Sequence, residues 1–264
     1  MTPDYAGAIS DIVRGVTNWR VWGHAGWQEI KRRYRRTTLG PFWVTFSLGI
    51  FATAMGFIWA PLFNADVKTY LPFVMTGMVS WVYVTSTISE GCGTYTGAEG
   101  LIKQLNFPYS VLNCTVVWRN MIVFFHNLIM VILVAVLLSV PINLNTLLVI
   151  PGVILVAING MWITMLLGML SARYRDIPPL VGNLIQVMMF VTPVFWFANQ
   201  IGPGRQHIVT FNFLFHIVDI VRSPLLGKPP AGLSYIVAIV GAVIGWTITV
   251  MIYARFRRRI AYWL

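Results

Sequence analysis

Eight carboxylates, four histidines and two cysteines are the side chains in this chain that most often do acid–base or metal chemistry. An enzyme needs such groups gathered at one place. Here no carboxylate falls in the middle of an expected membrane span, and no two are spaced to share one helix face within the membrane. His24, His126, His207 and His216 lie in different segments, and Cys92 and Cys114 have neither zinc-ligand nor disulfide-framework spacing. No GxxxxGK[ST] nucleotide loop occurs, since Gly227-Lys228-Pro229 lacks the upstream glycine and the hydroxyl residue. The residues argue against an enzyme, and any ATP hydrolysis must belong to another chain. Glu90 is the one candidate for a coupling-ion acid, and as an interfacial cap beside Gly91 it has a plainer reading.

The chemistry that remains is anion binding. Lys31, Arg32, Arg33, Arg35 and Arg36 stand directly before an apolar run that opens at Pro41. Such a cluster sets the cytoplasmic end of a first span and meets lipid head groups or a cytoplasmic partner there. Arg119 and His126 are seven apart, as are Asn120 and Asn127, so each pair lies near one face of a long apolar helix. A buried Arg must face protein, water or an anion, because it costs about 2.5–3.5 kcal/mol at a span centre. Interhelical hydrogen bonding within a bundle is the structural alternative.

The elements that carry these residues are membrane helices. Of 264 residues 57% are hydrophobic and 10% charged, with mean hydropathy +0.72, against about 25% charged in a soluble domain. The net charge of +11 flanks the apolar runs, which argues against a nucleic-acid-binding face. Residues 10–36 are expected to form one amphipathic helix on the cytoplasmic leaflet. Trp19, Trp22, Trp27, Ile30 and Tyr34 share its apolar face, Lys31, Arg32 and Arg35 lie opposite, and Arg33 falls on the wrong side. Six spans follow, at 41–60, 71–89, 110–140, 147–170, 180–198 and 233–253, with Thr192-Pro193 expected to kink the fifth. This topology puts 15 Lys and Arg on the near side and four on the far side, so both termini are expected inside. The start carries no signal-peptide pattern. Trp43, Trp59, Trp81, Trp196, Trp246 and Trp263 read as interface belts, and Phe42, Phe46, Phe190, Phe195 and Phe197 are candidates to line a sugar conduit.

The chain resembles the ABC-2 type permeases that export polysaccharides. The likeness rests on Arg33-Tyr34-Arg35-Arg36-Thr37, Leu39-Gly40 through Trp43, Gly100-Leu101-Ile102-Lys103, Asn106-Phe107-Pro108, Ala172-Arg173-Tyr174-Arg175-Asp176-Ile177, Thr192-Pro193-Val194 and Arg259-Ile260-Ala261-Tyr262-Trp263-Leu264. It spans nearly the whole chain. Tyr109, where the family often has a basic residue, and Phe213, where it often has proline, depart from the pattern.

The resemblance implies an all-α integral membrane protein. It would have an interface segment at 1–40 and a six-span domain at 41–264, with a gate or coupling helix at 93–105 and short reentrant helices at 199–232. It implies a homodimer in the bacterial cytoplasmic membrane, with two copies of a cytoplasmic ABC ATPase that bind ATP and Mg. No cofactor is implied on this chain. The substrate would be a polysaccharide on a polyprenyl diphosphate, moving through a channel at the dimer interface. Lys31, Arg32, Arg33, Arg35, Arg36 and Arg119 then become candidates for the diphosphate contact, and Trp27, Glu29, Glu99 and Lys103 for coupling to the ATPase. A smaller lipid, a teichoic-acid-like polymer or a drug is the alternative substrate, and a non-transport membrane scaffold or an enzyme subunit is a further class.

Overall fold

A computed structural model describes residues 3–35, 40, 42–200 and 202–264. Helices are the only regular elements among them, in the order α1 (Tyr5–Thr17), α2 (Trp19–Tyr34), α3 (Phe42–Leu62), α4 (Val67–Cys92), α5 (Glu99–Gln104), α6 (Ser110–Leu137), α7 (Val149–Arg173), α8 (Ile177–Val191), α9 (Gln206–Thr210), α10 (Phe213–Leu225), α11 (Gly232–Phe256) and α12 (Ile260–Trp263). Arg36, Thr37, Leu39 and Pro41 lie outside the described residues. Among the described residues five helices, α3, α4, α6, α7 and α11, are long and apolar enough to cross a membrane. The chain is a multi-pass membrane protein.

The bundle is arranged around α4. In its most apolar stretch 78% of residues are buried, against 22% in α3 and α11, and α3, α6, α7, α8 and α10 all pack on it. Its sequence suits that place. Thr76, Ser80, Thr85 and Thr87 each return the hydroxyl proton to the carbonyl four residues back, at 2.8 Å. Polar side chains are thereby buried without stranding a donor. Gly77 lets the Val194 carbonyl approach so closely that a Cβ would stand 2.6 Å from it. Small residues make such backbone contacts possible where lipid supplies no hydrophobic drive between helices.

Three expectations need correction. The helix expected over 10–36 is two helices. α1 starts earlier, where Asp4 accepts from the Gly7 N–H at 2.9 Å, and it ends at Asn18, beyond which α2 begins. Thr17 and Asn18 are weak helix formers whose short polar side chains compete for backbone groups; the Thr17 hydroxyl bonds back to Val13 O at 2.9 Å. The expected shared face is also divided: Ile30 is buried and Trp22 half-buried, whereas Trp19 and Trp27 are exposed.

The fifth apolar segment stops at Val191. Thr192 takes an extended conformation (ψ 132°), because the Pro193 ring disfavours helix in the residue before it. Thr192-Pro193 therefore ends α8 instead of kinking it. Fifteen residues reach only about 22 Å, short of a ~30 Å hydrocarbon layer. Finally, Trp81 is not a belt residue, since it is buried at 4% exposure inside the core around α4.

The segment between α4 and α6 is a short turn at Thr96–Ala98 followed by α5. Between α8 and α11 the chain folds back, and α10 is buried against α4, α7 and α11. The bundle thus has two unlike ends. One gathers α1, α2, α5, the start of α6 and the arginine tail. The other holds α10 and the turn at Leu144–Leu148.

Candidate anion site at the basic end

Arg119 lies in the third turn of α6, where it faces α4 and α2. Its Nη2 and Nε reach Glu90 Oε2 at 2.7 and 3.1 Å, and it also pairs with Glu29 of α2. Glu90 stands at the end of α4. Its Oε1 accepts from Arg33 Nη2 at 2.9 Å, and its Oε2 accepts from Asn120 Nδ2 at 2.7 Å. Two arginines and two glutamates from three helices therefore form one charge-balanced junction. Gly26 allows α2 to come this close, because a Cβ there would meet the Trp118 ring of α6 at 2.9 Å.

Burial is graded across the junction, with side-chain exposure of 13% for Arg119, 23% for Glu90 and 47% for Arg33. Arg33 is held above its ordinary pKa. Burial alone would lower it, but the hydrogen bond to Glu90 and that carboxylate's charge more than offset this. Charge-assisted hydrogen bonds of this kind are the donors a phosphate also uses.

The expected anion contacts thus divide. Arg33 and Arg119 meet on Glu90. Lys31 is exposed with its ammonium 5.7 Å from the Trp27 ring centre, Arg32 is exposed, and Arg35 closes the end of α2 through its N–H to Arg32 O. Arg36 lies outside the described residues. Among the coupling candidates, Glu29 is engaged by Arg119, while Glu99 and Lys103 pair with each other at 2.7 Å on exposed α5. Lys103, with a smaller contribution from Arg175, holds the Glu99 carboxyl below its usual range.

The aromatic candidates fall into two groups. Phe42 and Phe46 are exposed one turn apart on α3, with Phe42 edge-on to His126 at 5.7 Å. Phe190, exposed at the end of α8, touches buried Phe195 at 6.0 Å, and Phe195 abuts Trp59. Phe197 lies on Phe73 at 4.4 Å. Of the remaining polar pair in α6, Asn127 is buried and accepts from the Thr45 hydroxyl at 3.0 Å.

Two clusters were missed by the sequence reading. At the basic end, Asp11 of α1 accepts from the Tyr109 and Ser110 N–H groups at 3.1 Å and from the Tyr253 hydroxyl at 2.8 Å, and Arg257 approaches it at 3.4 Å. It supplies the anion that the N-terminus of α6 calls for. Asp4 in turn pairs with Arg257 and Arg258. Its carboxyl is held below the usual range chiefly by the Gly7 N–H, and burial, which acts the other way, is opposed by Arg258 and Arg257. Tyr95 is buried and donates to Asn113 at 2.9 Å; burial, then the Asp11 charge, pushes its phenol well up. A polar cleft of about 400 Å3 opens beside this clasp, lined by Ser10, Arg14, Asn106, Tyr109 and Arg258.

At the opposite end, Asp219 accepts from Ser223 at 2.6 Å and Ser234 at 2.7 Å, and Ser234 also meets His216 at 3.0 Å. Arg222 donates to Pro193 O at 2.5 Å, between the Phe73 and Phe215 rings. A signal was available in the Asp219–Arg222 spacing of three residues within an otherwise apolar stretch. Among the described residues no three His, Cys, Asp or Glu side chains converge as a metal site, and Cys92 and Cys114 are buried free thiols.

The ABC-2 type transporter family model matches residues 21–226. The chain is 24% identical over 250 residues, 92% of either chain, to an O-antigen export system permease protein RfbA of Klebsiella pneumoniae. A second K. pneumoniae protein of that name is 21% identical over the same share of each chain. One from Myxococcus xanthus is 22% identical over 170 residues, 64% of this chain and 65% of its own length.

Proposed function

The chain belongs to the ABC-2 type transporter family, and on that premise we propose that it is the permease subunit of an ATP-driven polysaccharide exporter. The cargo is an O-antigen-like polymer on a polyprenyl diphosphate, carried across the bacterial cytoplasmic membrane through a channel between two copies of the chain. The names of the relatives support the cargo.

The observation that carries the channel is α8. It has no buried residue and turns Asn183 and Gln186 outward beside Leu180, Leu184 and Phe190. Amides facing lipid would go unsatisfied, whereas a second copy would turn this face into the wall of a polar conduit. The short reach of α8 and the folded-back segment containing α10 fit a reentrant far mouth, with both termini inside.

Two ABC ATPase subunits, holding ATP and Mg, bind the basic end. Trp27 and the exposed Glu99–Lys103 pair are suited to receive them. The basic cluster recruits the diphosphate. ATP-driven closure of the ATPases pushes on α2 and α5, which opens the channel and advances the polymer.

The test is co-purification with the partner ATPase in lipid nanodiscs, followed by ATP turnover with and without lipid-linked glycan. A two-plus-two complex stimulated by the glycan supports the reading. Stimulation by another lipid or by a teichoic-acid-like polymer would keep the architecture and change the cargo, and a chain that forms no ATPase complex would overturn it.

A further inference from the structure

We propose that Glu90 is an internal counter-ion that holds the diphosphate site closed and that the substrate's diphosphate displaces. The inference rests on the diphosphate-linked cargo proposed above.

Four donors, Arg33 Nη2, Arg119 Nε and Nη2, and Asn120 Nδ2, converge on the two oxygens of one carboxylate within 2.7–3.1 Å. A phosphoryl group takes the same donors with more oxygens and more charge, and guanidinium forks match it well. The junction is already charge-balanced, with Arg33 and Arg119 against Glu29 and Glu90. A diphosphate arriving beside Glu90 would meet two fixed negative charges. It gains both guanidiniums only if Glu90 leaves.

The geometry allows that exchange at the side chain alone. Arg33, 47% exposed, is the open edge of the site, and Arg32 and Arg35 stand exposed on the same helix end. The backbone behind Glu90 is fixed, because at Gly91 a Cβ would already meet Thr164 of α7 at 2.7 Å. Departure of Glu90 dissolves the direct bridge between α2 and α4, while Glu29 still ties α2 to Arg119. Arrival of cargo is thereby converted into freedom of α2, the helix that also carries Trp27. A diphosphate brings more oxygens and more charge to Arg33 and Arg119 than a monophosphate does, so the same exchange favours the diphosphate.

The full-length chain in phosphatidylcholine nanodiscs would be titrated with undecaprenyl diphosphate and, in parallel, undecaprenyl monophosphate, with binding read by native mass spectrometry. Glu90→Gln keeps the shape and removes the competing charge. It should bind the diphosphate on the order of tenfold more tightly than the unaltered chain, and the preference over monophosphate should persist. Arg33→Gln should weaken binding, and in the double variant the gain from Glu90→Gln should vanish. Glu90→Asp, one methylene shorter, should show a smaller gain in the same direction, and serves if the glutamine variant fails to fold. A purely structural Glu90 predicts equal or weaker binding in both Glu90 variants, which would overturn the proposal. Loss of binding in Arg33→Gln without a gain at Glu90 would keep the diphosphate site and discard the exchange. No diphosphate binding by any folded form would discard both.

Discussion

The two ends of this bundle use the same residue types to opposite purpose. At the basic end, Arg33, Arg119, Glu29 and Glu90 form a junction whose exposure rises from 13% at Arg119 to 47% at Arg33. At the far end, Asp219 and Arg222 are both under 10% exposed at the side chain, walled by Phe73 and Phe215 and completed by Ser223, Ser234 and the Pro193 carbonyl. A buried charge that loses its partner has no water to turn to, whereas a partly exposed pair exchanges partners at small cost. The far cluster is built to hold α10 in one place. On the exchange proposed above, the near junction is the one that changes.

The comparison breaks first at Arg222. Arg222→Ala leaves Asp219 short of its counter-charge and the Pro193 carbonyl without its donor, and should cost about 3–5 kcal/mol, read as loss of assembled protein and a lower Tm in detergent. If its Tm matched that of the unaltered chain, the far end would not be the rigid one.

Asp11→Ala should come next, at about 1–3 kcal/mol, because it strands the Tyr109 and Ser110 N–H groups. Amide exchange should rise over residues 5–17 while α4 keeps its protection.

Replacing Arg32, Arg33, Arg35 and Arg36 together with Gln should change stability by less than about 1 kcal/mol per exposed pair lost yet sharply reduce export at normal protein level. Unchanged export would remove the cluster from cargo recognition.

The smallest effect is acid sensitivity at Asp4. Its pKa is lowered in the folded chain, so its contribution is present above the ordinary value of 3.8 and is lost as pH falls through the depressed one. Amide exchange at Gly7 should stay slow at neutral pH and quicken only in that acid window. Quickening already near pH 5 would place the cause elsewhere.

Much of this was legible in the residues. Hydropathy alone placed α3, α4, α6, α7 and α11, because an apolar run of that length has few other uses. It ran past Val191 into Phe195 and Trp196, since apolar character does not register that Pro193 stops a helix. Asn18 was hidden by the strong pattern on either side of it. The cationic cluster was visible, but its pairing with Glu90 was not: Arg33 and Glu90 are 57 residues apart and Arg119 and Glu90 are 29, and no local spacing reports such a meeting. Asp11 was less legible still, with Tyr253 242 residues away. A solitary carboxylate near the start looks like a solvated charge until its distant donors are known.

That distance has a consequence for how the molecule is made. Asp4 and Asp11 emerge from the ribosome early, and Tyr253, Arg257 and Arg258 emerge more than 240 residues later. Until then α1 lacks these partners, and the Asp11 carboxylate waits without the tyrosine and arginine that complete its shell. Loop closure over such a length comes late in folding. The clasp between the first helix and the arginine tail therefore closes only once α11 has been made, and a chain halted short of residue 253 holds its first helix through the α6 contacts alone.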